Sequence, residues 1–245
     1  MKKILFVILG ISLCLSLMGQ TRVVAHRGYW KAEGSCQNSI KSLEMAAEVG
    51  AYASEVDTWL TKDGKVVVNH DSSFKGVKMM SSDTEDILKV VLDNGEKLPT
   101  LEQYLERADE LGIRLIVEIK SKDEIEAPRK IAEIIKQYNM ADKVDVIVWT
   151  TLTGNEMIRL LPNTPVHYLS GTISPKKLKR LGYSGFSYNK TVLRVKKNWI
   201  KQAKKIGLKS NVWTVNSEDE MKYFIEQGVD FITTDEPQVL NQILQ

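Results

Sequence analysis

Residues Ser54–Asp71 read SEVDTWLTKDGKVVVNHD, and this stretch decides how the rest of the chain is to be understood. Its first half has the composition of a strand. Side chains two apart on a strand share a face, with alpha carbons roughly 6.5 Å apart, so Glu55 and Asp57 point the same way. A strand that only built a core would carry Val or Ile there. The second half, Lys65–His70, is another apolar run, joined to the first by the tight-turn signal Lys62-Asp63-Gly64. Parallel neighbours need a crossover of about a dozen residues or more, so these two runs must pair antiparallel. The second run therefore leaves any parallel sheet and opens an insertion. It lasts to about Pro99, where PTLEQYLERADELG resumes a helical pattern. The insertion carries His70 and Asp71.

On either side, short β-branched runs alternate with amphipathic stretches. Strands are predicted at Val23–His26, Ala53–Trp59, Arg114–Glu118, Val144–Thr150, Pro165–Leu169, Gly185–Tyr188, Lys209–Thr214 and Phe231–Thr233. Helical patterns such as SIKSLEMAAEVG, APRKIAEIIKQYN, NWIKQAKKIG and SEDEMKYFIEQG lie between them, several stopping at glycine. Strand–helix alternation argues for a parallel sheet. Eight units in about 225 residues fit an α/β fold of the (β/α)8 TIM-barrel type, with an open doubly wound sheet as the alternative. The second barrel strand then carries the insertion, about residues 60–99, as a small hairpin lobe.

The 245 residues suffice for one such domain, 21–245, after an N-terminal segment of another kind. Lys2 and Lys3 precede an apolar run from Ile4 to Met18, shorter than the roughly twenty residues of a comfortable membrane span. Residues 1–20 read as a signal peptide cut near Gly19 or Gln20, which predicts an exported protein, periplasmic or secreted, with no stable membrane span once processed. Losing Lys2 and Lys3 lowers the formal charge by two, from +3 to +1. That charge favours no nucleic-acid partner, and the one dense basic stretch, SPKKLKRLGY, reads as a solvated helix face. Cys14 leaves with the signal, so only Cys36 remains; an internal disulfide and a thiolate metal site are both excluded by number.

Reacting groups of a barrel gather at the carboxyl ends of its strands. Strand one ends in His26-Arg27-Gly28, strand two carries Glu55 and Asp57, and strand three ends in Glu118-Ile119-Lys120. Glu55, Asp57 and Glu118 are placed to converge on one ion. Three carboxylates without a thiol suit a hard divalent cation, Ca²⁺ or Mg²⁺. A salt-bridge network with Arg27 and Lys120 is the alternative for the same acids. His26 and His70 are two proton carriers that would flank a bound group as acid and base, and Arg27 and Lys120 supply positive charge suited to phosphate. The third histidine, His167, lies inside the run PVHYL and reads as a packed strand residue.

The ordered set HRG, SEVDTWLTKDGKVVVNHD, LPTLEQYL, VEIK, VWTVN and ITTDEP resembles the glycerophosphodiester phosphodiesterase family over nearly all of the chain from Val23 onward. The resemblance implies a metal-dependent TIM barrel that hydrolyses small-molecule glycerophosphodiesters to sn-glycerol 3-phosphate and an alcohol. By position it implies His26 and His70 as the catalytic pair and Glu55, Asp57 and Glu118 as ligands of one divalent cation. Arg27 and Lys120 would lie near the phosphate, and Trp213 would wall the glycerol pocket. One departure bears on this site: where the family has Glu-Asn-Thr, this chain has Gln37-Asn38-Ser39. The lost acid predicts weaker metal binding or a different head group. Rival expectations are the same chemistry on phospholipid, lysophospholipid or teichoic-type diesters, and a non-catalytic binding protein that keeps the fold.

Overall fold

The computed structural model describes residues 20–245; the segment read as a signal peptide, up to residue 19, lies outside the described residues. Eight parallel strands form a closed ring: β1 (Arg22–Ala25), β2 (Ala53–Leu60), β6 (Arg114–Ile119), β7 (Val144–Val148), β8 (Val166–Tyr168), β9 (Gly185–Asn189), β10 (Lys209–Trp213) and β11 (Phe231–Thr234). Closure comes from β1, which pairs with β11 on one side (Val24↔Thr233) and β2 on the other (Ala25↔Ser54). The (β/α)8 barrel is thus the observed fold. Its strands are buried on both faces, which is why they read as apolar runs rather than alternating ones.

The helices α1 (Ile40–Glu48), α3 (Leu101–Leu111), α4 (Glu126–Gln137), α5 (Thr151–Leu160), α6 (Pro175–Arg180), α8 (Trp199–Lys205), α9 (Glu218–Glu226) and α10 (Pro237–Leu244) each follow a barrel strand and surround the ring. Side-chain caps define several starts: Ser39 accepts from Ser42 N on α1, and Thr100 with Gln103 forms a reciprocal capping box on α3. In α6, Pro175 and Leu178 are buried while Lys176, Lys177, Lys179 and Arg180 face solvent, so the basic stretch is the solvated helix face its spacing predicts. A short helix not expected from the sequence, α7 (Lys190–Val195), follows β9 directly and precedes α8. Among the described residues no helix is long and apolar enough to cross a membrane.

The insertion is where the turn signal put it. β3 (Val66–Val68) runs antiparallel to β2, with Trp59 opposite Val67. A second small hairpin, β4 (Ser73–Phe74) with β5 (Val77–Lys78), and the single-turn helix α2 (Thr84–Ile87) complete the lobe. The lobe has its own apolar cluster, including Trp59, Val67, Met79, Ile87 and Leu98. Asp63 ties the turn to α2: the Thr61 and Thr84 hydroxyls donate to its carboxylate at 2.6 and 2.7 Å and hold its carboxyl down at about 2.

Strand boundaries differ at the carboxyl ends. β1 stops at Ala25, β7 at Val148 and β10 at Trp213, so His26, Trp149 and Thr214 stand just past strands rather than in them. The chain turns there to serve the loops of the barrel mouth.

Candidate active site

At the end of β1 the backbone leaves the extended region at once. Arg27 has φ 56° and Gly28 φ 77°. A side chain at Gly28 would lie 2.2 Å from Ser42 Oγ, so glycine alone lets the turn press against α1. Arg27, with no such freedom, is held in a strained left-handed conformation; strain of this kind collects at functional sites. Its amide donates to Glu55 Oε2 at 2.9 Å, and its guanidinium donates to Gln37 Oε1 at 2.7 Å.

Glu55 and Asp57 lie on β2, and Asp57 stands directly opposite Glu118 on β6. One carboxylate oxygen from each of Glu55, Asp57 and Glu118 lies within 4.8 Å of the other two, and all three residues are buried. Two cations face this group: Lys120 Nζ is 3.0 Å from Glu118 and 3.4 Å from Asp57, and Arg27 Nε is 3.6 Å from Asp57. The salt-bridge network considered from the sequence therefore exists, but it is incomplete. Three acids meet two bases, and Glu55 Oε1 is buried without a partner. Burial, then the charges of Asp57 and Glu118, push the Glu55 carboxyl well above its usual range. Glu118 is raised by burial and by Asp57. A divalent cation would supply the missing positive charge, and all-oxygen donors suit a hard ion. The residues fit that group.

His26 and His70 line the same cleft as these acids, together with Arg27, Lys120, Trp149 and Trp213. Each histidine is held through Nδ1 by a carboxylate, His26 by Asp235 and His70 by Asp71, both at 2.7 Å. Asp235 also accepts from Trp30 Nε1 at 3.0 Å and Asn216 Nδ2 at 2.6 Å. Burial alone would raise its carboxyl, but the bonds from His26 and Trp30 outweigh it and hold the group far below the usual carboxylate range. Burial pulls the Lys120 ammonium down, yet Glu118 and Asp57 outweigh that and keep it protonated. The Trp213 indole donates to the Ser187 carbonyl at 2.9 Å, which fixes its ring against the cleft wall.

All eight residues singled out from the sequence thus border one cleft at the barrel mouth. Four others with a part in it were not singled out. Asp235 orients His26, Asn216 braces Asp235, Trp149 donates to Glu118 Oε1 at 2.8 Å, and Asn38 brackets Asp57. Asn38 donates to Asp57 Oδ2 at 2.9 Å and accepts from the Asp57 amide at 3.2 Å. A signal existed for Asp235, an acid just past the last strand in the quoted stretch ITTDEP. His167 is elsewhere, buried at 3.0 Å from Asp145 beside a separate cavity with Arg22 and Arg114. Cys36 sits half-buried against the lobe, and burial raises its thiol, the opposite of an activated nucleophile.

Residues 26–239 match the sequence profile of the glycerophosphoryl diester phosphodiesterase family. The chain belongs to this family. It is an enzyme, a phosphodiesterase that hydrolyses glycerophosphodiesters. A crystal structure of a glycerophosphodiester phosphodiesterase from Parabacteroides distasonis superposes with a TM-score of 0.90 at 47% identity, covering 92% of this chain and 97% of that one. A glycerophosphodiester phosphodiesterase from Caldanaerobacter subterraneus is 28% identical over 92% of this chain and 98% of its own length. The fold is shared with a phosphodiesterase from Oleispira antarctica solved in complex with the product sn-glycerol-3-phosphate, at 22% identity and TM-score 0.81, covering 91% and 96% of the two chains.

Proposed function

We propose that this enzyme cleaves glycerophosphodiesters to sn-glycerol 3-phosphate and a free alcohol, using His26 and His70 as its proton carriers and one divalent cation, Ca²⁺ or Mg²⁺. The observation that carries the proposal is the meeting in one cleft of two carboxylate-anchored histidines and a three-carboxylate cluster with surplus negative charge. The product bound to the Oleispira antarctica relative supports the choice of product.

Donation from Nδ1 to Asp235 or Asp71 leaves each histidine's Nε2 free for the substrate. One imidazole removes the proton from the attacking oxygen, which comes from water, or from a neighbouring glycerol hydroxyl to give a cyclic phosphate that water then opens to glycerol 3-phosphate. The other, as imidazolium, gives its proton to the departing alkoxide. Arg27 and Lys120 bind the phosphate oxygens and stabilise the negative charge that grows on them. Because Gln37 is neutral, it fixes the Arg27 guanidinium without cancelling its charge, as a glutamate there would. Trp213 walls the glycerol moiety. Glu55, Asp57 and Glu118 would hold the cation, whose contribution when bound is to polarise a phosphoryl oxygen.

The leaving alcohol would depart past His70, which also borders a groove of mixed polar and apolar lining between the loop after β1 and the lobe, including Trp30, Gln37, Asn69, Asp71, Phe74 and Leu92. We further propose export, on the strength of the Lys2-Lys3 pair and the apolar run Ile4–Met18; a mature protein whose first residue is Gln20 or Thr21 is the expected outcome of N-terminal sequencing after secretion.

The test is product identity. With glycerophosphocholine the purified protein should release glycerol 3-phosphate and choline in equal amounts. Release of phosphocholine and glycerol would put the cleaved bond on the wrong side of phosphorus.

A further inference from the structure

Residues 157–217 hold thirteen of the chain's 34 lysines and arginines and none of its 31 aspartates and glutamates. Elsewhere on the surface bases stand among acids, as Lys89 does with Glu85 and Asp86, Lys130 with Glu133 and Lys222 with Glu218. Four bases of the acid-free stretch find partners outside it: Arg159 pairs with Glu156, Lys190 and Arg194 with Glu220, and Lys209 with Asp230. Among the described residues the other nine make no ion pair, and residues 1–19 contain no acid that could supply one.

The fold gathers these nine on one side of the barrel. Four lie on α6; Lys196 and Lys197 follow α7, and Lys201 and two further lysines lie on α8. All nine are exposed. Because α6 and α8 pack against each other, the two groups form one continuous face. Like charges crowded together repel, and that repulsion is relieved when the face meets a surface of opposite sign.

Two features say what kind of surface. Val195, between Arg194 and Lys196 at the carboxyl end of α7, is 72% exposed, the most exposed large apolar side chain among the described residues. An apolar side chain ringed by bases suits the boundary between lipid head groups and acyl chains. A single-stranded nucleic acid would instead use aromatic platforms for stacking, and none of the stretch's six Tyr, Phe and Trp side chains is exposed.

We propose that this face holds the enzyme against a membrane that contains anionic phospholipids, with Val195 entering the head-group layer. The contact does not depend on which diester is cleaved. Since α7 directly follows β9, it stands on the mouth side of the barrel, and docking there keeps the cleft beside the lipid surface.

The test is co-sedimentation with vesicles of phosphatidylcholine, alone or with about one-third phosphatidylglycerol. The protein is expressed from Gln20, so that it keeps the whole barrel while the apolar run Ile4–Met18 takes no part. Binding should need the anionic lipid. It should weaken at least about tenfold when salt is raised from about 0.1 to about 1 M, which shortens the screening length from about 10 to about 3 Å. A variant carrying Lys196→Glu, Lys197→Glu and Lys201→Glu should bind anionic vesicles about a hundredfold more weakly, each base near a charged bilayer being worth about fivefold. A second variant carrying Lys89→Glu, Lys130→Glu and Lys222→Glu makes the same change of charge elsewhere and should bind like wild type. Val195→Ser should weaken binding about threefold or more at either salt concentration. Circular dichroism like the wild type's reports an intact fold in each variant. No binding to anionic vesicles at low salt, equal binding to neutral ones, equal loss in the two triple variants, no loss from Val195→Ser, or capture of duplex DNA without capture of vesicles would each overturn the proposal.

Discussion

His26 and His70 each give one ring nitrogen to a carboxylate, but the two carboxylates are unlike. Asp235 is half-buried and takes hydrogen bonds from Trp30 and Asn216 as well, whereas the Asp71 side chain is 71% exposed. Water screens an exposed pair strongly, so Asp71 holds His70 less firmly than Asp235 holds His26. His26→Asn and His70→Asn should each lower kcat on glycerophosphocholine by about a hundred- to ten-thousandfold, the usual worth of a positioned acid or base. Asp235→Asn should cost more than Asp71→Asn and shift the pH–rate profile, because it removes the less exposed of the two partners. Equal losses for the two aspartates would mean that burial does not govern the orientation of these rings. His167→Asn is the control, with turnover near wild type and a lower melting temperature, since Asp145 loses a buried donor. The identity of the donors was only partly legible. His70 and Asp71 are adjacent in sequence, but Asp235 reaches His26 across 209 positions, and only the closure of β11 onto β1 brings them together.

At the scale of elements, the carboxylate cluster is a consequence of two facts about strands. Period-two alternation puts Glu55 and Asp57 on one face, and the β2–β6 register sets Asp57 beside Glu118. The first is readable in the sequence, and the second follows once β6 is placed next to β2. The hairpin was legible for the same reason, because a two-run pattern with a tight turn has only one way to pair. The turn after β1 was not. Its left-handed Arg27 and the contact of Gly28 with Ser42 depend on where α1 packs, which local sequence does not specify. Nor did the apolar and basic pattern of residues 190–199 separate α7 from α8. The strand pair carries a pH signature. Glu55 is raised above its unfolded value of about 4.3. A raised acid stabilises fully below the unfolded value, and that stability is lost as pH rises through the folded value. In chelator, Glu55→Gln removes a carboxyl whose ionised form burial, Asp57 and Glu118 disfavour. The variant should therefore melt above wild type at pH 8, by roughly 2–4 °C per kcal/mol of repulsion relieved, and the gap should close at pH 4. A variant that melts lower than wild type at pH 8 would show that Glu55 is satisfied without a cation.

The whole molecule divides its work between a barrel wall and a lobe. The barrel core, running from Val23 to Leu240, fixes the acids, His26 and both cations. The lobe, with its separate small cluster, carries His70 over the same cleft. This division was visible in the sequence as the break in strand–helix alternation between Leu60 and Pro99. The direction of the mouth was visible too, since His26, Arg27, Glu118, Lys120 and Trp213 fall at or just past the carboxyl ends of barrel strands. The divalent cation is a proposal, and the buried cluster of Glu55, Asp57 and Glu118 would hold it. The most direct measurement is the initial rate of glycerol 3-phosphate release from glycerophosphocholine by chelator-treated protein, titrated with Mg²⁺ and with Ca²⁺. The account predicts a rate near zero in chelator, restored along a saturable curve by one of these ions. A full rate in chelator, unchanged by either ion, would contradict it.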